Sequence, residues 1–366
     1  MYLLADDGKR YMDTFSGLGV HLLGHSYEPL MRQMHRKMRR YTHLSNFFKD
    51  EDLEPCTQLL MKASGLTGGV FFTNSGTEAC ECAMKMVKKN TDNLRKQVLY
   101  FKQAFHGRTL GALSVNGFEG LTRAFQPLLP DTVELPWNDA PAFHDYMSKH
   151  GDQVRAVFVE LVQGAGGVRV MSREVIQALK EWRDKKGFWL VCDEIQSGLG
   201  RTGAMFSYQH EDMVPDLVLL GKGLGGGLPL GGVILHERLK GSLLPGDHGS
   251  TFAPNPVALA GCRALLSCLP DFLPLVQELS VEAVKLIQAE LGDYTNEIRG
   301  RGYMIGIELK EAMPSFRMHA MKSHQLLLNV LQDRVIRMLP PLNMSMAQWK
   351  KMIHRLAQAL AEASTC

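Results

Sequence analysis

From Val70 to about Gly231, short apolar runs alternate with longer amphipathic stretches. The runs are GVFFTNS, QVLYF, RAVFVELVQG, GFWLVCDE and DLVLLGKG, each ending in small or polar residues. Strands buried on both faces read this way, and their alternation with helix-length segments predicts strand, helix, strand units in a parallel α/β sheet. In such sheets ligands gather just beyond the carboxyl ends of the strands. The endings Asn74 to Thr77, Phe105 to Arg108, Glu160 to Gly167, Asp193 to Gln196, and Lys222 therefore form the candidate site before any motif is considered.

The pattern differs on either side. In EPLMRQMHRKMRRY (28–41), Leu30, Met31, Met34, Met38 and Tyr41 fall near helical spacing with basic residues between them. This predicts a surface helix with a solvated basic face, the alternative being a phosphate- or membrane-binding patch. After Pro256 come long helical segments, VALAGCRALLSCL and PLVQELSVEAVKLIQAEL, then the strand-like pieces GYMIGIEL and RVIRML and a last amphipathic helix near 346–363. The expected organisation is a segment over 1–40 packing with the small domain, a large domain over 41–255 and a smaller α+β domain over 256–366.

Composition narrows the function classes. The 366 residues suit about two domains at ~150 residues each. Lys and Arg number 41 against 38 Asp and Glu, and the resulting +3 gives no electrostatic reason to expect nucleic acid or a membrane surface. No apolar run approaches a spanning helix, and MYLLADDGKRY lacks the sections of a signal peptide, so the expected location is the cytoplasm. Seven cysteines show no CxxC pair and no metal-type spacing, which argues against a disulfide scaffold or zinc module and makes Cys80 and Cys82 core thiols.

Chemistry enters at TNSGTEA. Ser75 followed by Glu78 fits a capping box that opens a helix, and Gly76 permits close approach of a ligand. Such a helix start, with Ser75 and Thr77 hydroxyls beside it, serves a phosphate well, although an ordinary helix cap has the same spelling. GKGLGGGLPLGG (221–232) contains a G-x-G-x-x-G match, but Pro229 and a second apolar run, GGVILH, follow where a dinucleotide site needs a helix. Lys222 precedes its glycines, so the string is not a P-loop either. A lysine at the end of a buried strand is instead a candidate nucleophile or base. Asp193 ends FWLVCDE and needs a cationic partner if buried, and a protonated heteroaromatic nitrogen would be one. Phosphate cradle (Ser75, Gly76, Thr77), flat aromatic pair (Phe105, His106), strand-end Asp193 and nucleophilic Lys222 together match what pyridoxal 5'-phosphate requires.

These residues lie in strings that resemble the class III (acetylornithine/ornithine type) aminotransferases of the fold type I pyridoxal-phosphate superfamily. The strings run in family order over nearly the whole chain: GVHLLGHSYEP, HLSNFF, FFTNSGTEA, FHGRTLGALS, DEIQSGLGRTG, GKGLGGGLPLGG, HGSTFAPNP, RGYMIGIEL and LLLNVLQDRVIRMLPPL. The last is similar to the acetylornithine and succinylornithine branch. The resemblance implies a large domain with a mostly parallel seven-stranded sheet and a homodimer with shared active sites. It implies Lys222 as the lysine that holds the cofactor and shuttles a proton, and Asp193 as partner of the ring nitrogen, with Glu194 and Ile195 beside it. It further implies Gln196 near the phenolic oxygen, Gly76 and Thr77 at the phosphate and Phe105 stacked on the ring. Arg108 would take the substrate α-carboxylate, a bidentate task suited to a planar guanidinium. Ser250 and Thr251 would reach into the partner's site, and Arg337 would receive a distal carboxylate.

Three features depart from the family pattern. Ala165 stands where E-P-x-Q-G-E-G-G has its second glutamate, whose implied partner is the second arginine, so Arg337 is expected to be unpaired. Ala253 and Pro254 replace two glycines beside Thr251, and relatives carry a further pocket-roofing segment before Tyr2. The activity expected is transfer of the ω-amino group of N-acetylornithine, or a related acylated diamino acid, to 2-oxoglutarate. The alternatives are an ornithine or 4-aminobutyrate type ω-aminotransferase and, on the same scaffold, an amino-acid racemase or epimerase, which the dicarboxylate-type Arg337 disfavours.

Overall fold

All five apolar runs become strands of one seven-stranded sheet in the computed structural model, which describes residues 1–92 and 94–364. The order across the sheet is Gly69–Thr73, Gly231–Leu235, Leu217–Leu220, Trp189–Asp193, Val154–Val159, Gln97–Phe101 and Thr132–Leu135. Only Gly231–Leu235 runs antiparallel, to both its neighbours. Every residue of Trp189–Asp193, Leu217–Leu220 and Gly231–Leu235 is buried, because helices cover both faces and leave no polar side to the strand. Thr132–Leu135 escaped the apolar-run reading for the opposite reason: it is an edge strand in which only Leu135 is buried.

The Gly76–Lys89 helix lies on this sheet and buries Cys80 and Cys82 completely. Burial raises both thiols, Cys82 to about 12, so neither is a reactive thiolate.

Thr295–Arg301, Met304–Leu309, Val335–Met338 and Asn329–Leu331 form a separate antiparallel four-stranded sheet in the C-terminal part, with the Leu273–Leu291, Phe316–His324 and Met346–Ala363 helices around it. Only Thr295 of Thr295–Arg301 is buried, and the polar spelling of the strand, TNEIRGR, gave no apolar signal. The strands Tyr2–Leu4 and Arg10–Asp13 pair with each other, and the second pairs with Leu326–Leu327, so the chain start is sewn into the C-terminal part.

Two expectations change. Lys37, assigned to a solvated basic face of the Glu28–Met38 helix, is buried, with Asp50, Glu51 and Asp52 at 3.2, 3.0 and 2.8 Å from its ammonium. A membrane-length apolar window also exists inside Pro256–Tyr294, which counting uninterrupted apolar runs missed. It is interrupted by a 3-10 turn at Leu269–Phe272, and its Pro256–Cys268 part packs on the Glu28–Met38 and Leu53–Ser64 helices, which makes it core.

Candidate active site

A cavity of about 640 Å³ opens at the carboxyl ends of the sheet. Gly76, Phe105, Asp193, Gln196, Lys222 and Arg337 all line it, although they come from five separate stretches of chain.

One wall is the start of the Gly76–Lys89 helix. Ser75 caps it by accepting from Glu78 N at 3.3 Å, while the Glu78 carboxylate turns to Asn74, accepting from its backbone N at 2.6 Å rather than from Ser75 N. The box is therefore displaced by one residue, and the Ser75 hydroxyl is spent on the cap instead of lining the cavity. Gly76 packs against Ile195, where a Cβ would come within 2.7 Å of the Ile195 side chain. Gly107, at φ +145°, brings the Phe105–Thr109 loop over the helix start, and a Cβ there would overlap Thr77 Oγ1. Thr77 Oγ1 in turn accepts from Arg108 N at 3.2 Å. The outcome is a helix N-terminus at the cavity wall, with glycines allowing the Phe105–Thr109 loop and Ile195 to pack close beside it, and its first N–H groups suit a dianionic phosphate.

The cavity floor carries a buried charge pair. Asp193 is 5% exposed, and its Oδ2 lies 2.7 Å from His106 Nδ1. Burial pulls the His106 pKa down, but the hydrogen bond and charge of Asp193 outweigh it and the net shift is upward, with Nδ1–H donating to the carboxylate. His106 is thus not part of a flat pair with Phe105. Strand and loop hold it against Asp193, so it bonds that carboxylate while Phe105 and Phe118 also line the cavity. Glu194 also departs from expectation: successive strand-end residues face opposite ways, and its carboxylate accepts from Ser197, Ser207 and Tyr208 N, away from the cavity. Glu160 is a residue whose part the sequence reading did not resolve. Buried beside this pair, it accepts from Phe105 N at 2.9 Å and Gly164 N at 3.3 Å, and desolvation, with Asp193 adding, raises it to about 7.

Lys222 sits in the left-handed region, at φ +45°, a strain that non-glycine residues carry mainly at functional positions. Burial lowers its amine to about 8, helped by Arg337 and opposed by Asp193 and Glu160. An amine in that range has a neutral, nucleophilic fraction of roughly a tenth to a fifth near physiological pH, on the order of a hundredfold more than an unshifted lysine. Arg337 is 6% exposed, and burial lowers it to about 10. It is not unpaired, as expected from Ala165: its Nε donates to Asn329 Oδ1 at 2.9 Å and its Nη1 to Gln196 Oε1 at 3.1 Å. Both partners are neutral, so the buried cation has hydrogen bonds without a bonded counter-charge. Arg108 is exposed at the rim, its guanidinium 5.8 Å from the Phe105 ring centroid.

Ser250 and Thr251 do not line this cavity. Ser250 Oγ accepts from Asn74 Nδ2 at 2.9 Å, and Thr251 is exposed. Leu18, Phe118, Leu121, Leu331 and Gln332 do line it and were not foreseen, because apolar or amide side chains in loops carry no spacing signal.

This fold and this cavity, with a helix-start cradle, a buried aspartate and a depressed lysine, define a pyridoxal-phosphate type transferase scaffold. The class-III aminotransferase family matches residues 1–360, and the chain belongs to that family. Among curated relatives, the acetylornithine aminotransferase of Methanopyrus kandleri is 38% identical over 97% of this chain and 91% of its own. That of Aquifex aeolicus is 35% identical over 93% and 90%. Of solved structures, the ornithine aminotransferase of Toxoplasma gondii, described with partial occupancy of PLP at its active site, superposes with a TM-score of 0.92 at 27% identity, covering 100% of this chain and 89% of that one.

Proposed function

We propose that this aminotransferase moves the ω-amino group of N-acetylornithine, or a related acylated diamino acid, to 2-oxoglutarate in the cytoplasm, giving a semialdehyde and glutamate, with pyridoxal 5'-phosphate as cofactor. The observation that carries the reading is the convergence of a lowered Lys222 amine, the Asp193–His106 pair and the Arg337 guanidinium on one cavity. The residues present fit the cofactor: the start of the Gly76–Lys89 helix, with Gly76 and Thr77, lines the cavity beside Phe105 and Lys222, and the buried Asp193 carboxyl faces the same space.

When bound, the cofactor supplies an aldehyde for amine exchange and a ring that accepts electrons from the carbon losing its proton. Helix-start N–H groups and Thr77 would hold its phosphate, Phe105 would cover its ring and Gln196 would lie at its phenolic oxygen. Asp193, which accepts from His106 Nδ1–H at 2.7 Å, would hold a proton on the ring nitrogen. Lys222 Nζ, lowered to about 8, would take and return the proton of the carbon that carries the amine. Arg108 at the rim suits one substrate carboxylate, and Arg337, with neutral partners only, suits a second. Without a bonded carboxylate in competition, Arg337 stays open to acidic or acylated substrate ends through both halves of the reaction.

The working unit proposed is a homodimer. Phe47, Phe48 and Phe252 are 94, 69 and 65% exposed, and the segments bearing them are tied by Asn46 Nδ2 donating to Ser250 O at 2.7 Å and by the His43 and Phe252 rings at 5.7 Å. This apolar patch flanks Thr251, which would complete the phosphate site of the partner subunit. An absorbance spectrum of the purified protein tests the core of the reading. A band near the visible edge that shifts with glutamate is expected, and no shift after reconstitution with pyridoxal phosphate would overturn it.

A further inference from the structure

Ser16, Gly17, Leu18 and Gly19 have φ of +51°, +61°, +67° and +82°, one turn of left-handed helix. L-residues avoid this conformation, and two of the four, Ser16 and Leu18, are not glycine. A surrounding structure must therefore impose it, and Asp13 does so. Its Oδ1 accepts from Phe15 N at 3.0 Å and Ser16 N at 2.8 Å, its Oδ2 accepts from Gly17 N at 3.2 Å, and His25 Nε2 lies 3.0 Å from Oδ2. At 2% exposed, this carboxylate is tolerable inside the protein because four donors surround it.

The turn is held in place from its other side as well. Leu339 N donates to Thr14 O at 3.0 Å, which ties it to the end of the Val335–Met338 strand that carries Arg337, and Thr14 Oγ1 donates to Leu327 O at 2.8 Å in the strand beside Arg10–Asp13. At Gly19 a Cβ would lie 3.5 Å from Leu339 and 4.0 Å from Gln196, so the backbone passes close behind the cavity wall. What the turn displays is Leu18, which is 41% exposed and lines the cavity. The strained backbone is not repaid by burying Leu18 in the core; it aims an apolar side chain into the space where substrate binds.

We propose that Asp13 is a positioning residue of the reaction: by clamping the left-handed turn it holds Leu18 as an apolar wall for the methylene chain of the amino donor. This inference rests on the aminotransferase reading for the identity of what meets Leu18. The clamp acts on substrate binding and leaves the proton transfer at Lys222 alone, so its loss appears in KM and not in kcat.

Steady-state kinetics of Asp13→Asn and Leu18→Ala with N-acetylornithine test it, alongside hydrogen exchange at Phe15, Ser16 and Gly17. Asp13→Asn is expected to speed exchange at those amides and raise KM about tenfold, the scale of one lost charge-assisted hydrogen bond, with kcat changed less than about twofold. Leu18→Ala should reproduce the KM change with exchange unaltered, and the double variant should be no worse than Asp13→Asn alone. An unchanged KM in Leu18→Ala overturns the proposal even if Asp13→Asn fails to fold. So does a purely structural result, in which Asp13→Asn melts lower and exchanges faster with KM intact. A wild-type protein whose spectrum ignores glutamate would defeat the aminotransferase reading instead, and the exchange data would still report on the clamp.

Discussion

His106 Nδ1 donates to Asp193 Oδ2 across 2.7 Å, behind the floor of the cavity and out of contact with water. Two strand-end segments far apart in sequence thereby orient the carboxyl group the cofactor ring would meet. Removing the imidazole leaves Asp193 as a buried anion with a weaker environment. His106→Ala is expected to weaken pyridoxal-phosphate binding roughly tenfold or more, from a hydrogen bond to a charged group that contributes about 1.5–3 kcal/mol. Spectrophotometric titration of the cofactor-free protein reads it, and unchanged affinity would remove His106 from the site.

Lys222 sets a pH dependence. Its amine is lowered to about 8 in the folded cofactor-free protein, against about 10.4 in an unfolded chain. The rate of cofactor capture should rise with pH and be half-maximal near 8. Between those two values the unfolded chain binds the extra proton, so stability of the cofactor-free protein should rise with pH through that window. Glu160 raises the Lys222 pKa, so Glu160→Gln should move the midpoint of capture lower. A midpoint above 10 would contradict the burial argument.

Ala165 and Arg337 both line the cavity, and Arg337 has only neutral hydrogen-bond partners. Introducing an acid with Ala165→Glu is expected to occupy the guanidinium and raise KM for 2-oxoglutarate about tenfold, with a smaller change for donors lacking a distal carboxylate. A wild-type preference for free ornithine over N-acetylornithine, measured by kcat/KM, would overturn the proposed donor.

Shared sites in a dimer have a direct test. Lys222→Ala and Thr251→Glu proteins should each be inactive, the second because a carboxylate opposes the phosphate. If Thr251 acts across the interface, denaturing and refolding the two together should restore about a quarter of the sites, because each mixed dimer then holds one site with neither lesion. Recovery of no activity, with mixed dimers demonstrated, would place Thr251 in its own subunit's site.

Much of this was legible in the chain. The strand runs were visible because central parallel strands are buried on both faces, and their ends pointed to Gly76, Asp193 and Lys222 before any resemblance was invoked. Two edge strands were not visible, TVEL and TNEIRGR, whose polar spelling reads as loop, whereas the apolar edge strand GVFFT was. Glu194 and His106 were misread in detail: alternation turns Glu194 away from the face that presents Asp193, and the loop carrying His106 packs its ring against that carboxylate.

The sequence alone determined which residues stand at the strand ends and which family they belong to, because burial writes itself into apolar runs and short motifs. The tertiary structure decided the partners. Asp193 meets His106 from 87 positions away, Arg337 meets Gln196 from 141 away, and Asp13 holds a left-handed turn that no propensity announces. Those relations depend on packing and on the desolvation it brings, and they shift Lys222, Glu160 and Arg337 to their working values. Neither quantity is a property of a residue and its neighbours along the chain.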